Sequence, residues 1–529
     1  MAITLSTRPS VHDGEQSALA VDRWHPIVAS NRAPIEYALC PEGELVAKQA
    51  GGGVATALGG LAGHLRFTWV ASAAGEGDRL AATRPATTAA ANPRLRFVVL
   101  PPDLYEYHYN LFSNPLLWFL QHSLWTRLSG QAIEAGLTTG WMAGYLPANV
   151  AFALTIAGEA RRNGGRPVVL LQDYHLYLVA EYLRRMLPAA LLQHFVHIPW
   201  PAPAAWRVLP PEIRRAIFRS LLANDIVGFQ TARDARRFVE GCATFLPQAE
   251  VDSTGSRVAL GDHQTQVRAY PISIDVAALQ GVLASLQVAG HHKRLRALAE
   301  EKTIVRVDRL DPSKDVPNGF RAFDRLLEEH PEWRGRVKFL AFLVPSRTGI
   351  PEYRRYAEET FALVAAINAR HGRDGYRPIE VFYENDRPQA MAGLQLYDVL
   401  LVNPLADGMN LVAKEGPMAN ERDGVLVLSE GAGAHEQLRT GALTVAPGDI
   451  AGMADALARA LDMPAVERRR RAVLLRNAVT RADLGVWLSS QLDDLARLRD
   501  AQNVGGRLAG YSPAPAWAAD GRGRAHPSF

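Results

Sequence analysis

The chain has 529 residues, 48% hydrophobic and 21% charged, which is enough for at least two hydrophobic cores and excludes a small disulfide-stapled module or wholesale disorder. Its 58 Lys and Arg exceed its 54 Asp and Glu by only four charges, so we expect no nucleic-acid partner, although a local site for an anionic small molecule remains open. Cys40 and Cys242 suit neither a disulfide framework nor a zinc site, and we expect a cytoplasmic protein.

Short apolar runs alternate with helical segments along the chain. Such runs are typical of parallel strands that are buried on both faces. They fall into two series divided near residues 271–293, which predicts an α/β protein with two doubly wound Rossmann-like domains facing each other across a cleft. The predicted strands are Ile27 to Ser30, Val168 to Leu171, His194 to Ile198, Asp225 to Phe229, Thr303 to Val307, Val337 to Leu343, Ile379 to Tyr383, Val399 to Val402 and Val425 to Leu428.

The two ends of the chain differ from the rest in composition. Residues 1–23 lack the apolar core of a signal peptide and the longer apolar run of a membrane span. Residues 505–529 are rich in Gly, Pro and Ala without periodicity. We therefore expect two flexible tails, no membrane partner, and domains over residues 24–275 and 276–482.

A glycine-rich turn follows the first predicted strand. Gly51, Gly52 and Gly53 lead into an apolar helix, and glycines at a helix start let backbone N–H groups approach a phosphate. The turn matches neither the Walker motif nor GxGxxG. On its own it is equally consistent with a plain turn.

A carboxylate and an imidazole follow two successive strands. Asp173 lies in the segment QDYHL and His197 in HIPWP. Side chains at strand ends are well placed to hold sugar hydroxyls, which need both donors and acceptors. The residues alone also permit a helix-capping aspartate and a core histidine.

Two cations lie five residues apart after the strand beginning at Thr303. Arg309 and Lys314, in VDRLDPSK, could converge on one diphosphate because buried cations require anionic partners. A salt-bridged loop, with Asp308 and Asp311 as the partners, is the alternative.

A second glycine-containing turn follows the strand Val399 to Val402. Residues 407–415 read DGMNLVAKE, and the turn offers exposed N–H groups where it enters a helix. Glu415 comes eight residues after Asp407, so we expect it about two turns into that helix, where its carboxylate could hold ribose hydroxyls. A capped helix start would have a similar sequence.

Several common catalytic motifs are absent from the sequence. No two aspartates have the DxD spacing, and neither HExxH nor GxSxG occurs. We therefore expect no metal and no cofactor. The basic run Arg468 to Arg471 is interpreted as a solvated helix face.

Taken in this order, the segments closely resemble retaining glycosyltransferases of the trehalose-6-phosphate synthase family. The resemblance extends from about Pro26 to Arg499 and implies the GT-B arrangement, with a last helix at residues 483–504 that crosses back to the first domain. The segments that carry it are SNR, YNLFSNPLLW, DYHL, HIPWP, DIVGFQT, VDRLDPSK, PSR, DGMNLVAKE and VLVLSEGAGA.

The resemblance implies roles for individual residues. Asp173 and His197 would lie around the transferred sugar and the acceptor hydroxyl, while Arg309 and Lys314 would hold the donor diphosphate. The remaining donor residues would be Gly52, Asp407, Gly408, Met409, Asn410, Leu411, Val412 and Glu415. The acceptor pocket would be formed by Arg32, Tyr109, Trp118 and Arg347, with the arginines on the acceptor phosphate.

The implied reaction moves glucose from UDP- or GDP-glucose to glucose 6-phosphate and gives trehalose 6-phosphate with retained configuration. Fixed cations would stabilise the departing diphosphate in place of a metal. The leaving phosphate would take the acceptor's proton, because no carboxylate in the matched motifs is an evident nucleophile.

Departures from the family pattern leave alternatives open. Ser72 stands where the family has a tryptophan of the acceptor pocket, and other segments resemble the validoxylamine 7'-phosphate synthase branch, which joins a nucleotide-linked cyclitol to an aminocyclitol phosphate. A different phosphorylated acceptor, including that of a glucosylglycerol-phosphate-synthase-like enzyme, is the main alternative. A catalytically silent sugar-phosphate sensor is another. The sequence selects no nucleotide base and is compatible with a homo-oligomer.

Overall fold

The computed structural model describes residues 25–40, 43–49, 66–84, 93–164 and 166–508. Within these residues the first half contains one large sheet, in the order β5-β4-β1-β6-β7-β8-β11-β10-β9, and a separate β2–β3 hairpin. Its strands are β1 (Ile27–Ser30), β2 (Ile35–Leu39), β3 (Leu45–Gln49), β4 (Thr68–Ser72), β5 (Arg94–Val98), β6 (Val168–Gln172), β7 (Leu191–Val196), β8 (Ile226–Phe229), β9 (Ala249–Val251), β10 (Arg257–Leu260) and β11 (His263–Ala269).

The strands from β5 to β11 in this order are parallel, and β10 and β9 extend the sheet in antiparallel fashion. Helices connect them. They are α1 (Glu76–Thr83), α2 (Pro102–Glu106), α3 (Phe119–Gln121), α4 (Gly130–Ala135), α5 (Leu146–Asn163), α6 (Val179–Met186), α7 (Pro203–Trp206), α8 (Pro211–Leu221) and α9 (Ala232–Phe245), with π-helical segments Tyr107–Trp118 and Gly136–Tyr145 and 3-10 turns Trp125–Arg127 and Tyr174–Leu176.

The second half contains a fully parallel sheet in the order β14-β13-β12-β15-β16-β17. Its strands are β12 (Lys302–Arg309), β13 (Val337–Val344), β14 (Ile379–Tyr383), β15 (Val399–Val402), β16 (Val425–Ser429) and β17 (Leu443–Val445). Its helices are α10 (Val276–Leu283), α11 (Leu286–Leu298), α12 (Val316–Glu329), α13 (Pro351–His371), α14 (Arg387–Leu396), α15 (Val412–Ala419), α16 (His435–Leu438), α17 (Ile450–Leu461), α18 (Ala465–Arg481) and α19 (Leu484–Leu508), with 3-10 turns Pro312–Lys314 and Pro331–Trp333.

The central strands are buried on both faces, as their predominantly apolar sequences predict. The strands β6, β7, β15 and β16 contain only buried residues. Both halves therefore have the predicted α/β architecture.

The two π-helical segments pack against each other unusually closely. Gly136 and Gly144 face the first segment so tightly that a Cβ at Gly136 would lie 2.6 Å from Leu111 O and one at Gly144 would lie 2.5 Å from His108 N. Glycine is needed here because a side chain would separate the segments. This packing holds the segment that carries Tyr109 and Trp118.

The chain passes between the two halves in two places. After β11 it continues through Ile274 into α10, and the Leu484 N–H at the start of α19 donates a hydrogen bond to Ile274 O at 3.0 Å. Farther along α19, Trp487 packs edge-on against Phe195 of β7, with ring centroids 5.5 Å apart. The last helix thus contacts the first sheet, while the exact domain limits stay predictions.

None of the helices in the described residues is both long enough and apolar enough to span a bilayer.

Candidate active site

The candidate residues lie where parallel strands end, at the edges of the two sheets that face each other. Asp173 follows β6, His197 follows β7, and Arg309 is the last residue of β12. The two edges are in contact, because a Cβ at Gly408 in the second half would lie 1.8 Å from His197 O in the first. The strand ends of both halves therefore form one site.

Lys314 lies among carboxylates of two different motifs. Its Nζ contacts the carboxylate of Asp407 and lies 3.8 Å from Asp308 Oδ1. Burial alone would raise the pKa of Asp407, but the Lys314 ammonium holds it below its ordinary value. The neighbouring carboxylates raise the pKa of Lys314 against the opposing effect of burial. Asp407, which belongs to a different motif, is thus a nearer partner of Lys314 than Asp308.

Asp311 joins the two candidate phosphate-binding regions. Its carboxylate is completely buried, with Oδ2 2.8 Å from Arg309 Nη2 and Oδ1 3.7 Å from Arg347 Nη1. Burial would raise the pKa of Asp311, but the arginines keep it below its ordinary value. The salt-bridged loop that the sequence left as an alternative is therefore present. Even so, Arg309 keeps 54% of its side chain exposed and available to a ligand.

Arg347 links the second half to aromatic residues of the first. Its guanidinium lies 4.9 Å from the centre of the Trp118 ring. It donates hydrogen bonds to the hydroxyls of Tyr353 at 2.6 Å and Tyr174 at 3.3 Å. Its backbone φ of 44° is in the left-handed region, which is uncommon for a non-glycine residue and marks a constrained loop.

Arg32 approaches the same cluster from the first half. Its Nη2 donates to the Tyr109 hydroxyl at 3.4 Å, and Tyr109 stacks on His175 with ring centroids 5.7 Å apart. Burial would raise the pKa of Tyr109, but the charges of Arg347 and Arg32 lower it. The structure therefore brings all four predicted acceptor residues, including Trp118, into one region.

Asp173 and His197 are held together by the backbone. The His197 N–H donates to Asp173 Oδ1 at 3.2 Å, and the Asp173 N–H donates to Phe195 O at 2.8 Å. Asp173 has a φ of 69°. Desolvation raises the pKa of Asp173 to about 7 and lowers that of His197 to about 3. At neutral pH the imidazole is therefore uncharged, while the carboxyl group is poised to change charge.

The loop before α15 is fixed by Asn410. Its side chain donates to Asp407 Oδ2 at 3.0 Å and accepts from the Ala413 N–H at 3.1 Å, and its φ is 72°. A residue in the left-handed region cannot continue a helix, so α15 begins only at Val412. Glu415 consequently lies in the first turn, and the expectation of two turns is wrong.

The other donor residues surround this loop. Met409 is buried and its carbonyl accepts from the Ala434 N–H at 2.8 Å, while Leu411 directly precedes α15. Glu415 Oε1 lies 3.5 Å from Arg387 Nη2, and burial raises the pKa of Glu415 against the effect of that arginine. Gly52 lies outside the described residues.

Some site residues have no role predicted from the sequence. Tyr174 belongs to the DYHL segment, and its position directly after the candidate residue Asp173 is the signal that could have found it. Nothing in the sequence indicates Tyr353. Ser72 is buried at the end of β4, where its Oγ donates to Asn31 Oδ1 at 3.2 Å.

Comparison with known proteins places the chain in a family. A family model described as Glycosyltransferase family 20 matches residues 25–497. The chain belongs to this family. This family 20 chain is 32% identical over 465 residues to the UDP-forming alpha,alpha-trehalose-phosphate synthase A of Dictyostelium discoideum, covering 87% of its own length and 61% of that relative.

Two further relatives bear on substrate and fold. Validamine 7-phosphate valienyltransferase of Streptomyces hygroscopicus subsp. jinggangensis is 31% identical over 505 residues, which cover 93% of the family 20 chain and 98% of the relative. The crystal structure of a UDP-forming trehalose-phosphate synthase from Burkholderia xenovorans in complex with glucose-6-phosphate is 29% identical, with a TM-score of 0.75 over 89% of this chain and 100% of that one. The predicted GT-B architecture is confirmed.

Proposed function

We propose that the chain is a retaining glycosyltransferase that moves glucose from a nucleotide-glucose donor to glucose 6-phosphate and forms trehalose 6-phosphate. The observation that carries this proposal is the buried carboxylate of Asp311 between Arg309 and Arg347. This arrangement supports the proposal, because a cation suited to a donor diphosphate lies close to one suited to an acceptor phosphate. Two phosphorylated substrates can therefore meet at one point.

The donor side supplies charge stabilisation for the leaving group. Cleavage of the anomeric bond places negative charge on the departing nucleotide diphosphate. Arg309 and Lys314 offer positive charge where it develops, and their ion pairs with Asp311 and Asp407 fix their positions beforehand. Cations that are already positioned require little reorganisation in the transition state.

The acceptor side supplies orientation. The acceptor phosphate would be held by Arg32, Tyr109 and Arg347. The Trp118 ring would hold the Arg347 guanidinium in place by packing against it. Asp173, with its pKa raised to about 7 by desolvation, would accept a hydrogen bond from the attacking hydroxyl.

The hydrogen bonds of the two carboxylates indicate where the proton of the acceptor hydroxyl goes. Asp407 is engaged by Lys314 and Asn410, and Asp173 is engaged by the backbone N–H of His197. Neither has the unpaired ionised form expected of a nucleophile. We therefore expect front-face transfer, in which the leaving phosphate oxygen takes the proton of the acceptor hydroxyl as the new bond forms.

A different phosphorylated acceptor is the second candidate. The specific observation is Ser72, which is buried and bonded to Asn31 where the family has an indole. A smaller and more polar group at this position changes the shape and hydrogen bonding of the pocket. The similarity to a valienyltransferase supports the same alternative.

A substrate panel tests these two candidates. The full chain is incubated with UDP-, GDP- or ADP-glucose and with glucose 6-phosphate, glycerol phosphate or an aminocyclitol phosphate. Nucleotide release is followed, and the product anomers are determined by NMR. Arg309→Ala serves as the inactive control.

Each outcome decides between the candidates. Formation of α,α-linked disaccharide phosphate with glucose 6-phosphate supports the proposal. Turnover with another phosphate alone supports the second candidate, whereas binding without turnover refutes transfer of glucose to any of these acceptors.

A further inference from the structure

The segment that joins the two halves is held from both sides at a single residue. The Ile272 N–H donates to Gln230 Oε1 at 3.0 Å, directly after β8 in the first half. The Ile272 carbonyl accepts from Lys414 Nζ at 2.7 Å, from α15 in the second half. All three residues are buried. The two polar backbone groups of one residue are thus tied to opposite halves.

The contact with Ile272 fixes which way the Gln230 amide points. A backbone N–H can only donate, so the Gln230 oxygen must face Ile272 and the NH2 group must face the other way. There it lies 3.5 Å from His197 Nδ1. This orientation presents an N–H of Gln230 to Nδ1 and favours the tautomer in which Nδ1 carries no proton.

The second nitrogen of His197 has a complementary partner. Its Nε2 lies 2.9 Å from Gln172 Oε1. A neutral imidazole that accepts at Nδ1 has its proton at Nε2, and the Gln172 oxygen accepts a hydrogen bond from that proton. Both contacts fit this one tautomer.

Lys414 connects this arrangement to the nucleotide side. It is 1% exposed, and burial without a neighbouring acid lowers its pKa to about 7. It directly precedes Glu415, a candidate ribose ligand, in the first turn of α15. Movement of α15 would therefore act directly on the Ile272 carbonyl.

We propose that Gln230 and Lys414 are positioning residues that hold Ile272 from the two halves of the protein. By holding Ile272 they fix the Nε2–H tautomer and the orientation of the His197 ring. This inference rests on the proposed function in one respect, namely that His197 faces the transferred sugar. In that case the imidazole lies beside the sugar in one fixed orientation, with its Nε2–H group donating to Gln172 Oε1. The direction of this N–H group depends on how the two halves of the protein are arranged around Ile272.

The wild-type protein provides the first test. The full chain is labelled with 15N-histidine, and the His197 signals are identified by their loss in His197→Asn. The NMR shifts distinguish protonated from unprotonated ring nitrogens. We expect a neutral ring with its proton at Nε2. A proton at Nδ1, or at both nitrogens, would overturn the proposal whether or not the protein transfers sugar.

Gln230→Glu tests the link itself with almost no change in shape. A carboxylate cannot donate to Nδ1, so we expect Nδ1 to become protonated and kcat to fall on the order of 10- to 100-fold. KM values for both substrates should stay within about threefold, since the substrate phosphates are held elsewhere.

Gln193→Glu is the matched control. Gln193 is a buried amide on β7 whose partner is Gln491, and it has no bond to His197. If Gln230→Glu matches this control in kcat and in the His197 spectrum, the proposal is refuted.

Lys414→Met tests the contact that the second half makes with the Ile272 carbonyl. We expect the His197 signals to show a mixture of tautomers and kcat to fall several-fold. A spectrum and a kcat equal to those of the Gln193→Glu control would refute the role of Lys414. Loss of the proposed function would be recognised separately, because wild-type protein would then transfer to no acceptor while the His197 spectrum remained as expected.

Discussion

Gly408 is the point at which a single methyl group should disturb the contact between the two halves. A Cβ there would lie 1.8 Å from His197 O, 2.9 Å from His197 C and 3.2 Å from Ile198 Cα. All three atoms belong to the backbone, so no side-chain rotation can relieve the clash. The φ of Gly408 is outside the left-handed region, and the effect of Gly408→Ala is therefore steric.

The size of the effect follows from these distances. Ordinary van der Waals contact of a Cβ begins at 3.4 Å, so the donor loop or His197 must move by about 1.6 Å. A misplacement of about 1 Å can cost about 100-fold in rate, which corresponds to about 2.7 kcal/mol. We expect kcat of Gly408→Ala to fall by about this factor.

The assay is the initial rate of nucleotide release at saturating donor and acceptor. Gly281→Ala is the matched control, because a Cβ added at Gly281 in α10 would have no atom within 4 Å. A kcat for Gly408→Ala within about threefold of this control would refute the argument that the two edges must touch for transfer.

Three further substitutions test the charged groups. Arg309→Ala should lower kcat by about 100-fold or more, and it should also lower Tm, because it removes the 2.8 Å partner of the buried Asp311 carboxylate; an unchanged rate would show that Arg309 does not stabilise the leaving group. Arg347→Lys should raise the acceptor KM about tenfold, since lysine loses both the planar fork and the stacking on Trp118, and an unchanged KM contradicts this assignment. Asp173 has its pKa raised to about 7, so its contribution to the free energy of unfolding is greatest below its ordinary pKa and is lost as pH rises through about 7. The Tm of Asp173→Asn relative to wild type should therefore rise between about pH 5 and about pH 8, and a constant difference would be inconsistent with the shift.

The buried parallel strands could be predicted because their sequences are predominantly apolar. The predicted limits agree with the structure at β1, β14 and β15, and they are close at β16. The β2–β3 hairpin escaped prediction because its described residues are half-buried or exposed and include Glu36 and Lys48. Packing on the rest of the protein, rather than its own pattern, defines it.

The π-helical segments were also beyond sequence reasoning. Tyr107–Trp118 contains Pro115, which ordinarily interrupts a helix. Its conformation depends on close contact with Gly136 and Gly144, which are far along the chain. A long-range packing requirement of this kind leaves no local periodicity.

The chemical groups of the site could be predicted, but their pairing could not. Strand ends and motifs indicated Lys314 and Asp407 separately, yet their contact joins residues of two motifs. The same holds for Arg309 and Arg347, which share Asp311. Such pairings depend on how the two sheet edges face each other, which local sequence does not encode.

The position of Asp311 has a consequence for how salt should affect substrate affinity. Because the site contains its own covalently attached counter-ion, phosphate binding is an exchange of partners at the arginines rather than the neutralisation of bare charge. Buffer anions must also compete with the Asp311 carboxylate for the two arginines. Because this carboxylate is part of the chain, lowering the salt concentration does not remove it. We expect substrate affinity to vary with ionic strength less steeply than the number of cations in the site implies.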